Sequence, residues 1–187
     1  LMAEFHNEIA KTGYSGPDLE IFLIRILFCL FADDTGIFPK DTFKNYLNNR
    51  TETDGSDLGP KLAGIFQVLN TPEKTRQSNL DDDLVKMPYV NGGIFLRNIG
   101  IVSCDVTTKL RLTKCCNFDW SAISAAIFGS LFQGVMNEDA RRHLGAHYTS
   151  EQNILKLIKP LFLDDLYIEL DKVKYDSRLL DKFHTKL

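Results

Sequence analysis

Asp18-Leu19-Glu20-Ile21-Phe22-Leu23-Ile24-Arg25-Ile26-Leu27-Phe28-Cys29-Leu30-Phe31-Ala32-Asp33-Asp34 is the stretch that decides the fold. Its apolar side chains occupy nearly every face of a 3.6-residue period, so the helix it predicts must be surrounded by protein on all sides. The apolar run from Ile21 to Ala32 is interrupted by Arg25 and is too short for a membrane span, which needs about 20 residues. It is therefore the central helix of a mainly α domain, and neighbouring helices have to cover it. On its N-terminal side, Gly13-Tyr14-Ser15-Gly16-Pro17 forms a turn that places Pro17 at a favoured first-turn position. Before that turn, residues 2–12 suit a short amphipathic helix. On the C-terminal side, Thr35-Gly36 stops the central helix.

Further along, Asp41 is the expected cap of a helix carrying Phe43, Tyr46 and Leu47, and Asp57 that of a helix carrying Leu58, Leu62, Ile65, Phe66 and Leu69. Thr71 to Asp83 is polar and reads as a loop with some helical turns. Pro88-Tyr89-Val90-Asn91-Gly92-Gly93-Ile94-Phe95 reads as an extended, hairpin-like turn with strand-like flanks, because Asn-Gly-Gly tolerates positive φ and the flanks are aromatic or β-branched. Helical spacing resumes from Thr107 to Cys116. Trp120 to Met136 places Ile123, Ile127, Phe128, Leu131, Phe132 and Val135 on a core-facing stripe. The expected fold is thus a mainly α helical bundle with one short hairpin-like turn near 88–95.

Charge and cysteine usage narrow the function classes. The net charge of -3 divides into 14 acidic and 10 basic side chains over residues 1–100, and 11 and 12 over residues 101–187. No Lys/Arg run marks an electrostatic footprint, so tight nucleic-acid binding by this stretch alone is not supported. Cys29, Cys104, Cys115 and Cys116 have no C-x-x-C spacing and read as reduced thiols, which with the absence of a signal peptide points to the cytoplasm. His143 and His147 stand at i, i+4 but have Gly145 between them and no third ligand, so no metal is expected. Asp33 and Asp34, at a helix end beside Thr35-Gly36, are read as acids that organise the turn or bond a neighbouring backbone rather than as a catalytic pair. Asn91-Gly92-Gly93 is read as a turn rather than a phosphate cradle, since no basic residue follows it.

The most informative segment chemically is Gly145-Ala146-His147-Tyr148-Thr149-Ser150-Glu151-Gln152-Asn153-Ile154. Thr149 and Gln152 fit a capping box, so a helix should begin at about Ser150. Such an N-terminus offers free N–H groups and partial positive charge to a carboxylate.

This segment resembles the G-x-x-Y-T-[PS] motif that precedes the catalytic core of N6-adenine DNA methyltransferases. Three other stretches strengthen the resemblance: residues 27–38, residues 88–95, and Ile127-Phe128-Gly129-Ser130-Leu131-Phe132-Gln133 followed by Arg141-Arg142. Together they are similar to the helical spacer, and its junction with the methyltransferase, in MmeI-like type IIL restriction-modification enzymes. The resemblance spans roughly residues 10–167.

It implies that Tyr148, Thr149 and Ser150 contact the methionine part of S-adenosylmethionine in a full-length parent. Arg141 and Arg142, read from the residues alone, are candidates for contact with DNA phosphates, with surface pairing to Glu138 and Asp139 as the default reading. The resemblance also implies double-stranded DNA as the parent's substrate, with a nuclease upstream and methyltransferase and target recognition domains downstream. Residues 1–140 would be the connector and residues 141–187 the first edge of a truncated methyltransferase domain. Both chain ends read as cuts.

The stretch lacks two glycines separated by one residue, any Pro-Pro, and any Glu-x-Lys or Asp-x-Lys. The Asn/Asp-Pro-Pro-Tyr/Phe loop that would hold a flipped adenine and the acidic pattern of a nuclease are thus outside it. No catalytic residue and no tightly bound cofactor is expected here, and the stretch should be inactive by itself. The competing expectation is a free-standing helical module that binds a protein partner. The two differ at Ile154, Leu157, Ile158, Leu161 and Phe162: a truncated domain should leave this apolar surface exposed, a closed module should bury it.

Overall fold

A computed structural model describes residues 1–90, 93–124, 128–129 and 151–186. The chain divides into two compact units, 1–146 and 147–187. In the first, α1 (Met2–Lys11), α2 (Gly16–Asp34), α3 (Thr42–Arg50), α4 (Leu58–Leu69), the short α5 (Asp82–Val85) and α6 (Val106–Cys116) enclose one core, with 3-10 turns at Glu73–Thr75 and Trp120–Ala122. No strand occurs among the described residues, which bears out a mainly α fold.

The central position of α2 follows from its composition. Phe22, Leu23, Ile26, Leu27, Cys29, Leu30 and Ala32 are all buried. Around them lie Phe5 and Ile9 of α1, Phe43, Tyr46 and Leu47 of α3, Leu62, Ile65 and Phe66 of α4, and Leu112 and Cys115 of α6, in a single cluster. Burying a large aliphatic or aromatic side chain stabilises by roughly 1.5–3 kcal/mol, so this cluster is the main source of stability. Edge-on ring contacts add direction: Phe22 meets Phe66 at 6.0 Å and Tyr14 at 6.0 Å between centroids.

The two acids that close α2 act at a distance. Asp33 is buried, and its carboxylate accepts from Phe43 N–H (2.9 Å) and Lys44 N–H (3.1 Å), so it caps the N-terminus of α3 from another helix. Asp34 accepts from Trp120 N–H at 2.8 Å and anchors the 3-10 turn whose indole is buried. These contacts correct two expected caps. Asp41 makes no side-chain cap bond and takes left-handed φ (+58°), because Asp33 already fills the place in front of the α3 amides. Asp57 precedes α4 but accepts from Glu52 N–H (2.8 Å), closing the preceding loop instead.

The strand-like flanks expected near 88–95 are likewise absent among the described residues. Val90 N–H donates to Leu69 C=O at the end of α4 (2.8 Å), and the carbonyls of Ile94 and Arg97 are taken by Arg25. With helix ends and a side chain as partners, the segment has no ladder to join. Gly93 carries positive φ, as a turn requires, while Asn91 and Gly92 lie outside the described residues. Only Trp120–Ala122, residues 123–124 and residues 128–129 of the helix expected over 120–136 are described, and the first of these is a 3-10 turn.

The polar loop 71–83 is held by Arg76, which donates to the carbonyls of Thr71 (2.9 Å), Val68 (3.0 Å) and Met87 (2.7 Å) and so satisfies the C-terminus of α4. Gly59 lies so close to the Val102 carbonyl that a Cβ there would overlap it, which lets residues 101–105 run directly over the start of α4.

The second unit contains α7 (Glu151–Ile158), a π turn (Lys159–Leu163), α8 (Asp164–Val173) and α9 (Ser177–Lys186). Pro160 explains the π turn: it has no N–H and its ring would clash with the carbonyl four residues back, so the ladder widens by one residue. Asp176 accepts from the N–H groups of Arg178 and Leu179 and starts α9. Ile154, Leu157, Leu161 and Phe162 are exposed, whereas Ile158 is half-buried.

Candidate functional site

The feature of the first unit with the most chemical character is built around Arg25. Its position midway along the most buried helix places a guanidinium in the core, with only 3% of the residue exposed. Nε donates to Ile94 C=O at 2.9 Å and Nη2 to Arg97 C=O, while the guanidinium carbon lies 5.4 Å from the Phe66 ring centre and 5.6 Å from that of Phe95. Burial pushes the Arg25 pKa below its usual value, partly countered by the negative charge of Asp18. Tyr14 is shifted upward by its own burial and by Asp18, and its hydroxyl donates to Gly100 C=O at 2.7 Å. Asp18 closes the arrangement, accepting from Arg97 Nη2 and Gly100 N–H, each at 3.2 Å. Three polar side chains of the α1–α2 region thus hold residues 94–100 in place, beside a groove of about 590 Å³ between that segment and α4.

The cysteines carry no reactive chemistry. Burial raises the Cys29 thiol far above its ordinary pKa and the Cys104 thiol to about 12, so neither is a thiolate at neutral pH. All four are free, and no group of three or more His, Cys, Asp or Glu side chains among the described residues is placed to hold a metal. Among the described residues, no helix is long and apolar enough to cross a membrane.

Tyr148, Thr149 and Ser150, together with Arg141 and Arg142, lie outside the described residues, as do His143 and His147. The described structure resumes at Glu151, the first residue of α7. Asp33 and Asp34 are brought together with backbone amides rather than with each other's function. The Arg25 arrangement was not singled out in the sequence, where an arginine interrupting an apolar run was its one signal.

Fold and site together define a mainly helical module with a buried central helix whose polar side chains are spent on holding loops and helix ends. Residues 17–95 match the family described as "MmeI, helicase spacer domain". A solved structure, that of the type IIL restriction-modification enzyme MmeI in complex with DNA, is similar over 99% of this chain and 25% of its own, with 50% identity and a TM-score of 0.67.

Among curated proteins, DNA methyltransferase A of Bacillus subtilis is 42% identical over 161 residues, which is 86% of this chain and 18% of the relative. A putative type II restriction enzyme and methyltransferase of Methanocaldococcus jannaschii is 26% identical over 157 residues, 71% of this chain and 13% of the relative. The chain therefore spans less than a fifth of the curated relatives it matches and a quarter of the structural one.

Proposed function

We propose that residues 1–140 are the connector of a longer restriction-modification protein and that residues 141–187 begin its methyltransferase domain. The observation that carries this reading is that the likeness to MmeI covers 99% of the chain at 50% identity, and so runs through the spacer into the Gly145–Ile154 segment rather than stopping at its edge. The exposed apolar residues Leu157, Leu161 and Phe162 support it, since the remainder of a methyltransferase domain would cover them.

In this reading the parent is a cytoplasmic enzyme that methylates adenine N6 in double-stranded DNA. A nuclease upstream and a target recognition domain downstream would be held at a set distance by the connector. S-adenosylmethionine would supply the methyl group. Tyr148, Thr149 and Ser150 precede α7, whose first-turn amides and partial positive charge suit the carboxylate of the methionine part. Arg141 and Arg142 would meet DNA phosphates. Because the Gly-x-Gly and Pro-Pro motifs lie outside this stretch, it supplies only one edge of the pocket and is inactive alone.

Calorimetric titration of the full-length parent with S-adenosylmethionine tests the assignment. Binding by the parent, weakened at least tenfold by Tyr148→Ala and absent from the 187-residue chain, is expected. Unchanged binding in the variant, or micromolar binding by the short chain, would overturn the assigned edge.

A further inference from the structure

The groove between α4 and residues 95–102 holds a guanidinium that no carboxylate among the described residues pairs with directly. Arg25 lines it, nearly fully buried, against two neutral carbonyls and two aromatic faces. No carboxylate of the described residues stands within salt-bridge distance of it. Asp18, the acid closest in effect, is already committed to Arg97 and to Gly100 N–H. A guanidinium has five donors, and a buried cation without an anion is costly, so the site is complementary to a carboxylate.

The rest of the groove suits a polypeptide. Its α4 wall is smooth, formed by Gly59, Pro60, Ala63 and Gly64, and a side chain built at Gly64 would meet nothing within 4 Å. Gln67 and Asn70 further along the same wall offer donors and acceptors for a peptide backbone. On the opposite lip, Leu96 is 73% and Ile101 64% exposed, unusually high for such side chains. A volume of about 590 Å³ is in the usual range for an occupied pocket. Duplex DNA fits poorly, because phosphates are read by cations that project from a surface, not by one sunk beneath an apolar lip.

We infer that this groove receives an acidic peptide segment, with its carboxylate set against Arg25 and its apolar flanks against Leu96 and Ile101. The inference stands on the first unit alone and is independent of the methyltransferase reading.

The test uses the 187-residue chain and two immobilised nine-residue peptide libraries, degenerate except for a central Glu in one and a central Gln in the other. Gly64→Leu adds a bulky side chain to the groove wall at a position where a Cβ meets nothing within 4 Å, and a thermal melt no lower than that of the original chain establishes that it folds. The Glu library should be retained at least tenfold better than the Gln library, and Gly64→Leu should abolish the difference. Equal retention of both libraries, retention unaffected by Gly64→Leu, displacement by acetate alone, preferential capture of duplex DNA, or a dimer closing over the groove would each overturn it.

Discussion

Replacing Asp33 by Ala removes one carboxylate that serves two helices. Its oxygens accept from Phe43 N–H at 2.9 Å and Lys44 N–H at 3.1 Å, and the Phe43 bond is buried. Hydrogen bonds to a charged group contribute about 1.5–3 kcal/mol each, and two would give roughly 3–6 kcal/mol before any offset. Against this stands the cost of keeping a carboxylate in the core, visible as a pKa held above the ordinary value chiefly by burial, with the two amide bonds pulling it back. Loss of an N-cap costs about 0.5–2 kcal/mol where the cap is exposed. The net expectation for this buried one is about 2–3 kcal/mol, read from urea unfolding followed by helical circular dichroism with an unchanged m-value.

Asp33→Asn should lose about half as much, since the amide oxygen can still accept one bond. The pH dependence has a definite sign. A folded-state pKa raised above the unfolded value of about 3.9 favours folding below that value and loses the benefit as pH rises through the folded pKa. The stability gap between the original chain and Asp33→Asn should therefore be widest near pH 3 and narrow toward neutrality. A loss below about 0.5 kcal/mol for Asp33→Ala would refute the capping role, and a gap that widens with pH would refute the dominance of burial.

Arg25→Met keeps the bulk of the side chain but leaves the Ile94 and Arg97 carbonyls without their donor, so a loss of about 3 kcal/mol is expected, with amide exchange of residues 93–102 accelerating before that of α2. Protection of that segment equal to the original chain's would contradict the clamp. Gly59→Ala drives a methyl into the Val102 carbonyl and should cost about 1–3 kcal/mol in chemical denaturation, despite the better helix propensity of alanine; a stabilised variant would show that the close approach is not real. Pro160→Ala restores the missing N–H and should convert the π turn at Lys159–Leu163 to regular α-helix, seen as i-to-i+4 amide connectivities by NMR; persistence of the widened turn would mean that proline does not cause it.

The central helix was legible because a segment apolar on every face has one stable solution, burial by neighbours, and that solution does not depend on knowing which neighbours. That Asp33 and Asp34 bond backbone rather than form a catalytic pair was legible from their place at a helix end. What they bind was not: the amides of Phe43 and Lys44 lie ten and eleven residues on, and Trp120 lies 86 residues on, so the expected local cap at Asp41 lost to a tertiary one. Arg25 illustrates the limit further. Its role depends on carbonyls 69 and 72 residues away, in a segment whose β-branched and aromatic flanks read as strand-like until Arg25 and the end of α4 took its polar groups. Arg76, which closes α4 from within a polar loop, was equally silent. The residues of the proposed cofactor edge were found through a short motif and a family likeness, not through physical pattern, and they lie outside the described residues.

The most direct test of the connector reading is methyl transfer by the full-length parent. Purified parent, duplex DNA and isotopically labelled S-adenosylmethionine are incubated, and the digested nucleosides are resolved by mass spectrometry. Label in N6-methyladenine, lost when Tyr148 is replaced by Ala while the melting temperature is unchanged, is the predicted result. No labelled base, label on cytosine, or full activity in the Tyr148 variant would contradict it.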